Sequence, residues 1–159
     1  MLLLFGADHG GFHLKQALLE KARSAGFETE DLGATILDPA DDYPVMAGAV
    51  SSRLTDLLVA GVAPDQVVGV LICRSSGGVT IAANRVVGVR AVACRSLAEA
   101  KHARSNNHAN ILTLAGDHLS EQEGWEILQA FLEEPWSTES RHLRRVQMLD
   151  QKAGKIFQR

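Results

Sequence analysis

The fold of this chain is decided by residues 67–85, which read VVGVLICRSSGGVTIAANR. The run from Val67 to Ile72 is apolar and mostly β-branched, and Cys73 stands at its end. A loop of small residues follows at 75–78, and an Ala-rich segment at 79–84 then has the composition of a helix. The pattern predicts a buried strand, a tight loop and a helix, with a thiol at the carboxyl end of the strand.

This stretch could supply both reactive chemistry and an anion cradle. Ligands of open parallel sheets collect outside the carboxyl ends of the strands. The free N–H groups and positive dipole end of a helix amino terminus favour an anion there. Gly77 and Gly78 would let the backbone approach a ligand closely. Cys73 is thus a candidate nucleophile or base. The alternative is a thiol that acts as a small buried hydrophobe beside an ordinary Gly-Gly turn.

Strands and helices alternate along the rest of the chain. Strands are predicted at 1–7, 29–32, 67–72, 89–94 and 111–115, and helices at 12–26, 45–60, 79–84, after Ser96, at 120–133 and at 140–155. The strands are continuous apolar runs, which is typical of a parallel sheet covered on both faces. We therefore predict an α/β fold, a Rossmann-like three-layer sandwich with a five-stranded parallel sheet, as one domain over 1–159.

Several local features refine this prediction. In the first helix the apolar stripe leaves Lys15 on the outer face. Pro39 and Pro44 argue against a regular helix through 37–44. Two capping boxes are predicted, Ser96 with Glu99 and Ser120 with Glu123. The extended C-terminal helix, at about 138–155, lies beyond the alternating pattern, and with Trp136 it is expected to pack on a second subunit.

Composition and charge restrict the possible partners. The chain has 159 residues, 46% of them hydrophobic, which suits one globular domain. Its net charge of -3 indicates neither a nucleic-acid nor a membrane-surface partner. Cys73 and Cys94 are too few for a disulfide framework, and the apolar run at 1–8 is too short to target or span a membrane. We expect a cytoplasmic protein with free thiols.

Polar residues adjoin three of the predicted strands. Asp8 and His9 follow the first strand, Cys73 and its loop follow the third, and segment 104–110 (RSNNHAN) adjoins the fifth. We expect these groups to gather at one ligand-binding edge of the sheet. A helix cap remains an alternative for Asp8 and His9, and a plain polar turn for 104–110.

A basic pair near the end of the chain is a further candidate. Arg141 and Arg145 lie one turn apart on the predicted final helix, and two guanidinium groups on one face can clamp a phosphate. The alternative is a solvated or acid-paired helix surface.

Several ligand-binding motifs are missing. Gly6, Gly10 and Gly11 do not fit the GxGxxG dinucleotide fingerprint, and no P-loop is present. Val79 stands where a Cys-x5-Arg phosphatase loop needs its arginine. No His/Cys/Asp spacing suggests a zinc site, so no metal is expected. A nucleotide-binding Rossmann module is thus the weakest reading of the fold.

The motifs taken together resemble one family. The order GADHGGFHLK, DDYP, VLIC with its Ser/Gly loop, IAANR, VGVRA, NNHANIL and PWSTESRHLRRV is similar to that of the type B ribose-5-phosphate isomerases. That family also contains galactose-6-phosphate and related sugar-phosphate isomerases. The resemblance covers about positions 3–149, and it implies an aldose–ketose isomerase that uses no metal or cofactor and works through a cis-enediol(ate).

The resemblance also implies roles for individual residues. Cys73 matches the family's thiol base, Ser75 a threonine beside it, and Asp8 a substrate contact. The backbone N–H groups of the loop match an anion hole, formed by Ser75, Ser76, Gly77, Gly78 and Val79.

Other matches concern the sugar phosphate. His9 would lie near the phosphate, Tyr43 would approach the sugar from the DDYP loop, and Asn107 would hold the sugar's oxygen end. Arg141 and Arg145 match phosphate-binding arginines. Members of the family are dimers or tetramers whose sites are built from two subunits, so a homodimer or homotetramer is expected.

This sequence departs from the family at three places. The loop after Cys73 reads RSSGG where the family usually has Gly-Thr-Gly-Ile-Gly. The family's ring-opening histidine is replaced by Asn106, whose amide cannot carry a proton, with His102 and His108 nearby. Asp117 stands where some members have a phosphate-binding arginine, so either its carboxylate points away from the phosphate or the phosphate lies elsewhere.

Two functions of different classes follow. The first is an isomerase of a small sugar phosphate with Cys73 as base, specialised for a substrate that needs no ring opening, such as a tetrose 4-phosphate. The second is a non-catalytic sugar-phosphate-binding paralogue or partner subunit of an active isomerase.

Overall fold

A computed structural model describes residues 1–151 of the chain. The strands are β1 (Leu2–Ala7), β2 (Glu28–Asp31), β3 (Val67–Cys73), β4 (Ala91–Ala93) and β5 (Ile111–Ala115). The helices are α1 (Phe12–Ser24), α2 (Tyr43–Val59), α3 (Gly77–Ala83), α4 (Leu97–Asn107), α5 (Glu121–Glu133) and α6 (Ser140–Gln151).

The five strands form one parallel sheet in the order β2-β1-β3-β5-β4. The chain runs outward from β1 to β2 and then crosses back to place β3 on the other side of β1. The strand order therefore reverses between β1 and β3, and in such sheets the crevice at that point is where ligands bind. The predicted Rossmann-like fold is confirmed.

Alternating side chains of the strands fill two separate cores. In β3, Val68, Val70 and Ile72 pack against the layer of α1, α4 and α5. The intervening Leu71 and Cys73 face α2 and α3 on the other side. This two-residue alternation, with apolar residues on both faces, explains why the strand is a continuous apolar run and why the fold has three layers.

One expectation about the helices is wrong, and one helix begins two residues earlier than predicted, although 37–42 is not helical, as expected. Lys15 is completely buried, because its ammonium donates to both carboxylate oxygens of Asp31 at 2.8 Å and to the carbonyl of Ala34 at 2.7 Å. Pro44 does not delay α2, which begins at Tyr43 with Pro44 in its first turn, where a missing N–H costs nothing.

The capping predictions had different outcomes. The Ser120–Glu123 box is present in full. Ser96 accepts from the N–H of Glu99 at 3.2 Å, but the Glu99 carboxylate accepts from the N–H of Arg95 at 2.6 Å instead of that of Ser96. Only half of the second box therefore forms.

The C-terminal helix α6 packs on its own chain as well as extending beyond the sheet. His142 and Val146 are buried, and α6 contacts α4. Leu143, Met148 and Leu149 remain exposed on it. A subunit interface on this exposed face stays a prediction, and residues 152–155 of the predicted helix lie outside the described part of the chain.

The Lys15 ammonium predicts a stability effect. Lys15→Met removes the buried cation and leaves the Asp31 carboxylate and the Ala34 carbonyl without their partner, so the free energy of unfolding should fall by about 2–4 kcal/mol. Urea denaturation followed by circular dichroism measures this. Lys21→Met, on the same helix at a partly exposed position, is the matched control. Equal loss in both variants would contradict a special role for the buried ion pair.

Candidate functional site

The loops after β1, β3 and β5 are packed backbone to backbone at the carboxyl edge of the sheet. The N–H of Gly116 donates to the carbonyl of Cys73 at 2.8 Å. A Cβ atom on Gly116 would lie 2.5 Å from the carbonyl oxygen of Gly10, and one on Gly11 would overlap the carbonyl of Ile72. Only glycine permits this approach, which places the residues after β1 directly beside Cys73.

Cys73 ends β3 at this edge and is 5% exposed. Its side chain belongs to the core beneath α2 and α3, together with Val79 and Ala47. The second thiol, Cys94, lies in the opposite core, and burial raises its pKa to about 12. Cys94 is therefore an inert, buried thiol, whereas Cys73 lies at the crevice where the strand order reverses.

The loop after Cys73 is a strained turn that two threonines support. Ser76 has a left-handed backbone with φ of 66° although it is not glycine. Its carbonyl accepts from the Thr80 hydroxyl at 2.7 Å, and Thr80 in turn hydrogen-bonds the hydroxyl of Thr113 on β5 at 2.6 Å. The loop is thus held to the sheet by residues that the sequence analysis did not single out. Neither threonine belongs to a motif, so no signal in the sequence marks them.

Tyr43 covers the first turn of α3. A Cβ atom on Gly78 would lie 2.8 Å from Cζ of the Tyr43 ring, so the absence of a side chain at Gly78 lets the ring rest on the helix backbone. The predicted DDYP loop therefore meets the predicted Ser/Gly loop.

Asp8 is buried beside the same crevice. Its carboxylate accepts from the N–H of Gly11 at 3.1 Å, which supports the turn into α1. Burial raises the pKa of Asp8 above its ordinary value. Asp8 therefore supports the turn before α1 but is not a helix cap, because the N-cap residue of α1 is Gly11 and the helix has no side-chain cap among the described residues. Its carboxyl group protonates more readily than usual.

His9 is oriented by Asp41 from the DDYP loop. One carboxylate oxygen of Asp41 contacts both the backbone N–H and Nδ1 of His9 at 2.8 Å. This hydrogen bond raises the pKa of His9. The other oxygen of Asp41 is buried and has no partner among the described residues. Asp41 was overlooked in the sequence, although the DDYP motif contains it.

The segment 104–110 lies at the opposite edge of the sheet, which corrects the expectation of one shared edge. Helix α4 runs back from the carboxyl edge and ends at Asn107, just before β5 begins at Ile111. The five residues of β5 span roughly 16 Å at 3.3 Å per residue. One copy of the chain therefore does not bring Asn107 to Cys73.

Asn107 and Arg145 share a second cleft at this amino edge. The cleft has a volume of about 150 Å³ and is lined by Asn107, Arg145 and five other residues, His102, Asn106, His142, Val146 and Leu149. Asn106 Nδ2 lies 3.1 Å from His102 Nδ1. Arg141 does not line the cleft, and its guanidinium pairs with Glu139 at 2.6 Å.

The remaining residues of segment 104–110 are structural. His108 is buried, its Nε2 lies 3.0 Å from the carbonyl of Ser137, and its ring stacks on Trp136 at 4.8 Å. Arg104 is buried with its guanidinium over Phe131, and burial lowers its pKa to about 10. Of His102 and His108, the two histidines near Asn106 in the sequence, only His102 lines the cleft, and His142 of α6 lines it as well.

Asp117 is turned toward a cation. Its carboxylate accepts from Nε of Arg74 at 2.9 Å, and the position of Asp117 relative to a phosphate stays a prediction.

Two classes of feature are missing from residues 1–151. No group of three or more His, Cys, Asp or Glu side chains in this range could hold a metal ion. No helix of this part of the chain is long and apolar enough to cross a membrane.

Comparison with known proteins places this geometry in a family. The family model described as "Ribose/Galactose Isomerase" matches residues 3–149. Ribose-5-phosphate isomerase B of Mycobacterium tuberculosis (strain ATCC 25618 / H37Rv) is 36% identical over 94% of this chain and 88% of its own length. The enzyme of the same name from Escherichia coli (strain K12) is 33% identical over 92% of this chain and 93% of its own.

Solved structures agree. Ribose-5-phosphate isomerase B from Mycoplasma genitalium, with bound ribulose-5-phosphate, superposes with a TM-score of 0.87 at 31% identity, covering 94% of each chain. A ribose 5-phosphate isomerase from Thermotoga maritima gives a TM-score of 0.84 at 33% identity, covering 94% of this chain and 97% of that one.

The His9–Asp41 contact predicts a change in titration. Asp41→Asn removes the carboxylate that favours the charged imidazole, so the midpoint of the His9 titration should move to lower pH. NMR of the histidine ring protons from pH 5 to 9 measures it. Asp38→Asn, a neutralised carboxylate in the same loop that bonds the N–H of Ala40, is the control. An unchanged His9 midpoint in Asp41→Asn would show that the contact is absent in solution.

Proposed function

This chain belongs to the ribose/galactose isomerase family, and we propose that it is an aldose–ketose isomerase of a small sugar phosphate of the ribose 5-phosphate type. The observation that carries the proposal is the position of Cys73. The thiol ends β3 where the strand order reverses, beside Asp8 and directly before a loop with free N–H groups. The thiol would supply the base, and the loop N–H groups would bind the developing anion. The reaction requires both groups side by side.

In the proposed reaction, the thiolate of Cys73 removes the proton on C2 of the open-chain aldose. The electron pair of that C–H bond forms the C1–C2 double bond, and the carbonyl oxygen becomes the enediolate oxyanion. Backbone N–H groups from Ser75 to Val79 stabilise this oxyanion. The proton returns to C1 while the O2 proton moves to O1, and the ketose results. Ser75 and Ser76 belong to this loop, Gly77 leaves space for the substrate, and Gly78 leaves space for the Tyr43 ring.

Residues beside the crevice would hold the sugar. Asp8, with a pKa raised by burial, would contact the hydroxyl groups, and Tyr43 would cover the sugar above Gly78. His9, whose pKa is raised by its hydrogen bond to Asp41, would contact the phosphate.

We propose that each site is shared by two copies of the chain, in a homodimer or homotetramer. Asn107 and Arg145 lie at the opposite edge of the sheet from Cys73, so a second copy would have to present them. In that arrangement, Asn107 of the partner subunit holds the sugar oxygens. Arg141 and Arg145 of the partner subunit bind the phosphate. The exposed Leu143, Met148 and Leu149 of α6 would support such a contact.

Asn106 bears on the choice of substrate. Pentose 5-phosphates close into furanose rings, and an amide cannot shuttle a proton to the ring oxygen. A tetrose 4-phosphate stays open, because its phosphate occupies the hydroxyl that would close the ring. The imidazole of His102, 3.1 Å from Asn106, favours some remaining turnover of ribose 5-phosphate.

The two unpaired thiols suit a reducing compartment, and we place the activity in the cytoplasm.

The reaction is tested by deuterium exchange. Wild-type protein in D2O should incorporate deuterium into at least one member of a panel of tetrose, pentose and hexose phosphates. Cys73→Ala should lower that rate by about 10²–10⁴, because it removes the base. Mass spectrometry and NMR of the sugar measure the exchange, and Cys94→Ala, which removes the inert thiol, is the matched control.

The outcomes separate the two functions. Binding without exchange for every sugar would replace the isomerase with the non-catalytic binding paralogue. Turnover of ribose 5-phosphate at roughly 10 per second or more would remove the specialisation for open-chain substrates.

The shared site is tested by mixing inactive variants. Cys73→Ala damages one edge and Arg145→Ala the other, so a mixed dimer regains one intact site. Refolding or exchanging equal amounts should restore about a quarter of the wild-type activity, since half of the dimers are mixed and each has one working site. A mixture of Cys73→Ala with Asp8→Asn, both on the same edge, should stay inactive. Equal recovery in both mixtures, or in neither, would contradict the shared site.

A further inference from the structure

Arg74 follows Cys73 directly and reaches across the loop after β1. Its aliphatic stem lies on Gly10, where a Cβ atom would overlap Cγ of Arg74. The Arg74 side chain is 67% exposed, so its stem is placed by this packing while its guanidinium faces solvent. Gly10 is therefore required by Arg74, and Arg74 extends from the end of β3 toward the segment that carries Asp8 and His9.

Asp117 holds the guanidinium in this position. Its carboxylate accepts from Nε of Arg74 at 2.9 Å, and its backbone N–H donates to the Arg74 carbonyl at 3.1 Å. Both side chains are exposed, and exposed ion pairs contribute little to stability. The pair also uses Nε and leaves the two terminal amino groups of the guanidinium directed away from that bond. Asp117 thus orients a cation at the mouth of the crevice.

The negative charge at the carboxyl edge of the sheet indicates a binding role for the Arg74 guanidinium. Asp8, Asp41 and Asp117 put three carboxylates around the crevice, and these would repel a phosphate dianion. Two basic side chains of the same chain adjoin these carboxylates: Arg74, which pairs with Asp117, and His9, whose pKa is raised by its hydrogen bond to Asp41. Arg74 is close enough to His9 for its charge to oppose protonation of that imidazole. A bound dianion between the two would relieve this repulsion.

We propose that Arg74, oriented by Asp117 and placed on Gly10, binds the phosphate of the substrate together with His9 and thereby determines specificity for phosphorylated sugars. Two parallel N–H donors of a guanidinium match two phosphate oxygens. A lysine ammonium cannot reproduce this bidentate geometry. The role rests on the proposed isomerase function, but phosphate binding itself can be measured without any reaction.

The first test is binding of inorganic phosphate to the wild-type protein by isothermal titration calorimetry. Arg74→Ala and Arg74→Lys should weaken binding, by about 10- to 100-fold for alanine, since hydrogen bonds to charged groups are lost. Arg53→Ala breaks another Arg–carboxylate pair, the partly exposed Arg53–Glu30 pair at 3.0 Å, and should bind phosphate like wild type. Unchanged phosphate affinity in Arg74→Ala, or no binding to wild type, would overturn the proposal.

The second test removes the guanidinium at position 74 and introduces one at position 117. Residue 117 faces the Arg74 guanidinium, so Arg74→Ala combined with Asp117→Arg should recover much of the lost phosphate affinity. Arg74→Ala with Asp117→Asn removes both charges, and it should stay weak. Recovery in the asparagine variant as well would mean that Asp117 only repels phosphate and that Arg74 does not bind it.

Kinetics distinguish this role from the reaction itself. With the sugar phosphate that wild type turns over, Arg74→Ala should raise KM by about the factor seen in calorimetry and change kcat by less than about threefold, because Arg74 acts on binding common to ground and transition states. A fall in kcat with unchanged KM would overturn the phosphate role. If wild type binds phosphate through Arg74 but turns over no sugar, the isomerase proposal fails and the phosphate site stands.

Discussion

The parallel direction of all five strands is the constraint on which this molecule depends. It sends every strand's carboxyl end to one edge, and the reversal of strand order between β1 and β3 opens a crevice there. The crevice is narrow because glycines at 10, 11 and 116 bring three loops into backbone contact. The sheet itself therefore positions Cys73. The Gly116 N–H binds its carbonyl, and its side chain packs in the apolar layer under α2 and α3.

The same constraint separates the polar residues of one chain into two sets. A helix that follows a parallel strand must run back along the sheet, so α4 carries Asn106 and Asn107 to the amino edge, away from Cys73. Helix α6 packs on α4 and brings Arg145 to that cleft. A sugar phosphate that needs both sets can meet them only between two copies. Oligomerisation would then be a requirement of the chemistry, imposed by the direction of the strands.

Short-range patterns in the sequence predicted the fold well. The bounds of β5 and the Ser120 capping box were correct, because alternation, apolar runs and caps are properties of neighbouring residues. The local errors were small, since α2 begins two residues earlier than predicted and only half of the Ser96 box forms. The larger errors arose where distant residues decide the outcome. Lys15 is buried by Asp31 and Ala34, segment 104–110 lies at the edge set by the direction of β5, and Arg74 meets Asp117 across 43 positions. The left-handed Ser76 is held by Thr80, which no motif marks.

The loop after Cys73 shows how such distant pairing changes the meaning of a substitution. Taken alone, Asp117 is an acid where a sugar-phosphate site needs a cation, and Arg74 is a bulky residue where a loop needs small ones. Each residue is explained by the other. The Asp117 carboxylate accepts from Nε of Arg74, and the aliphatic stem of Arg74 rests on Gly10. The loop from Ser75 onward therefore keeps its small residues and its turn. With Arg74 in the proposed phosphate role, the positive charge would stay at the crevice while its position in the sequence changes. The two departures from the family pattern would then amount to one change in how the phosphate end of the site is built.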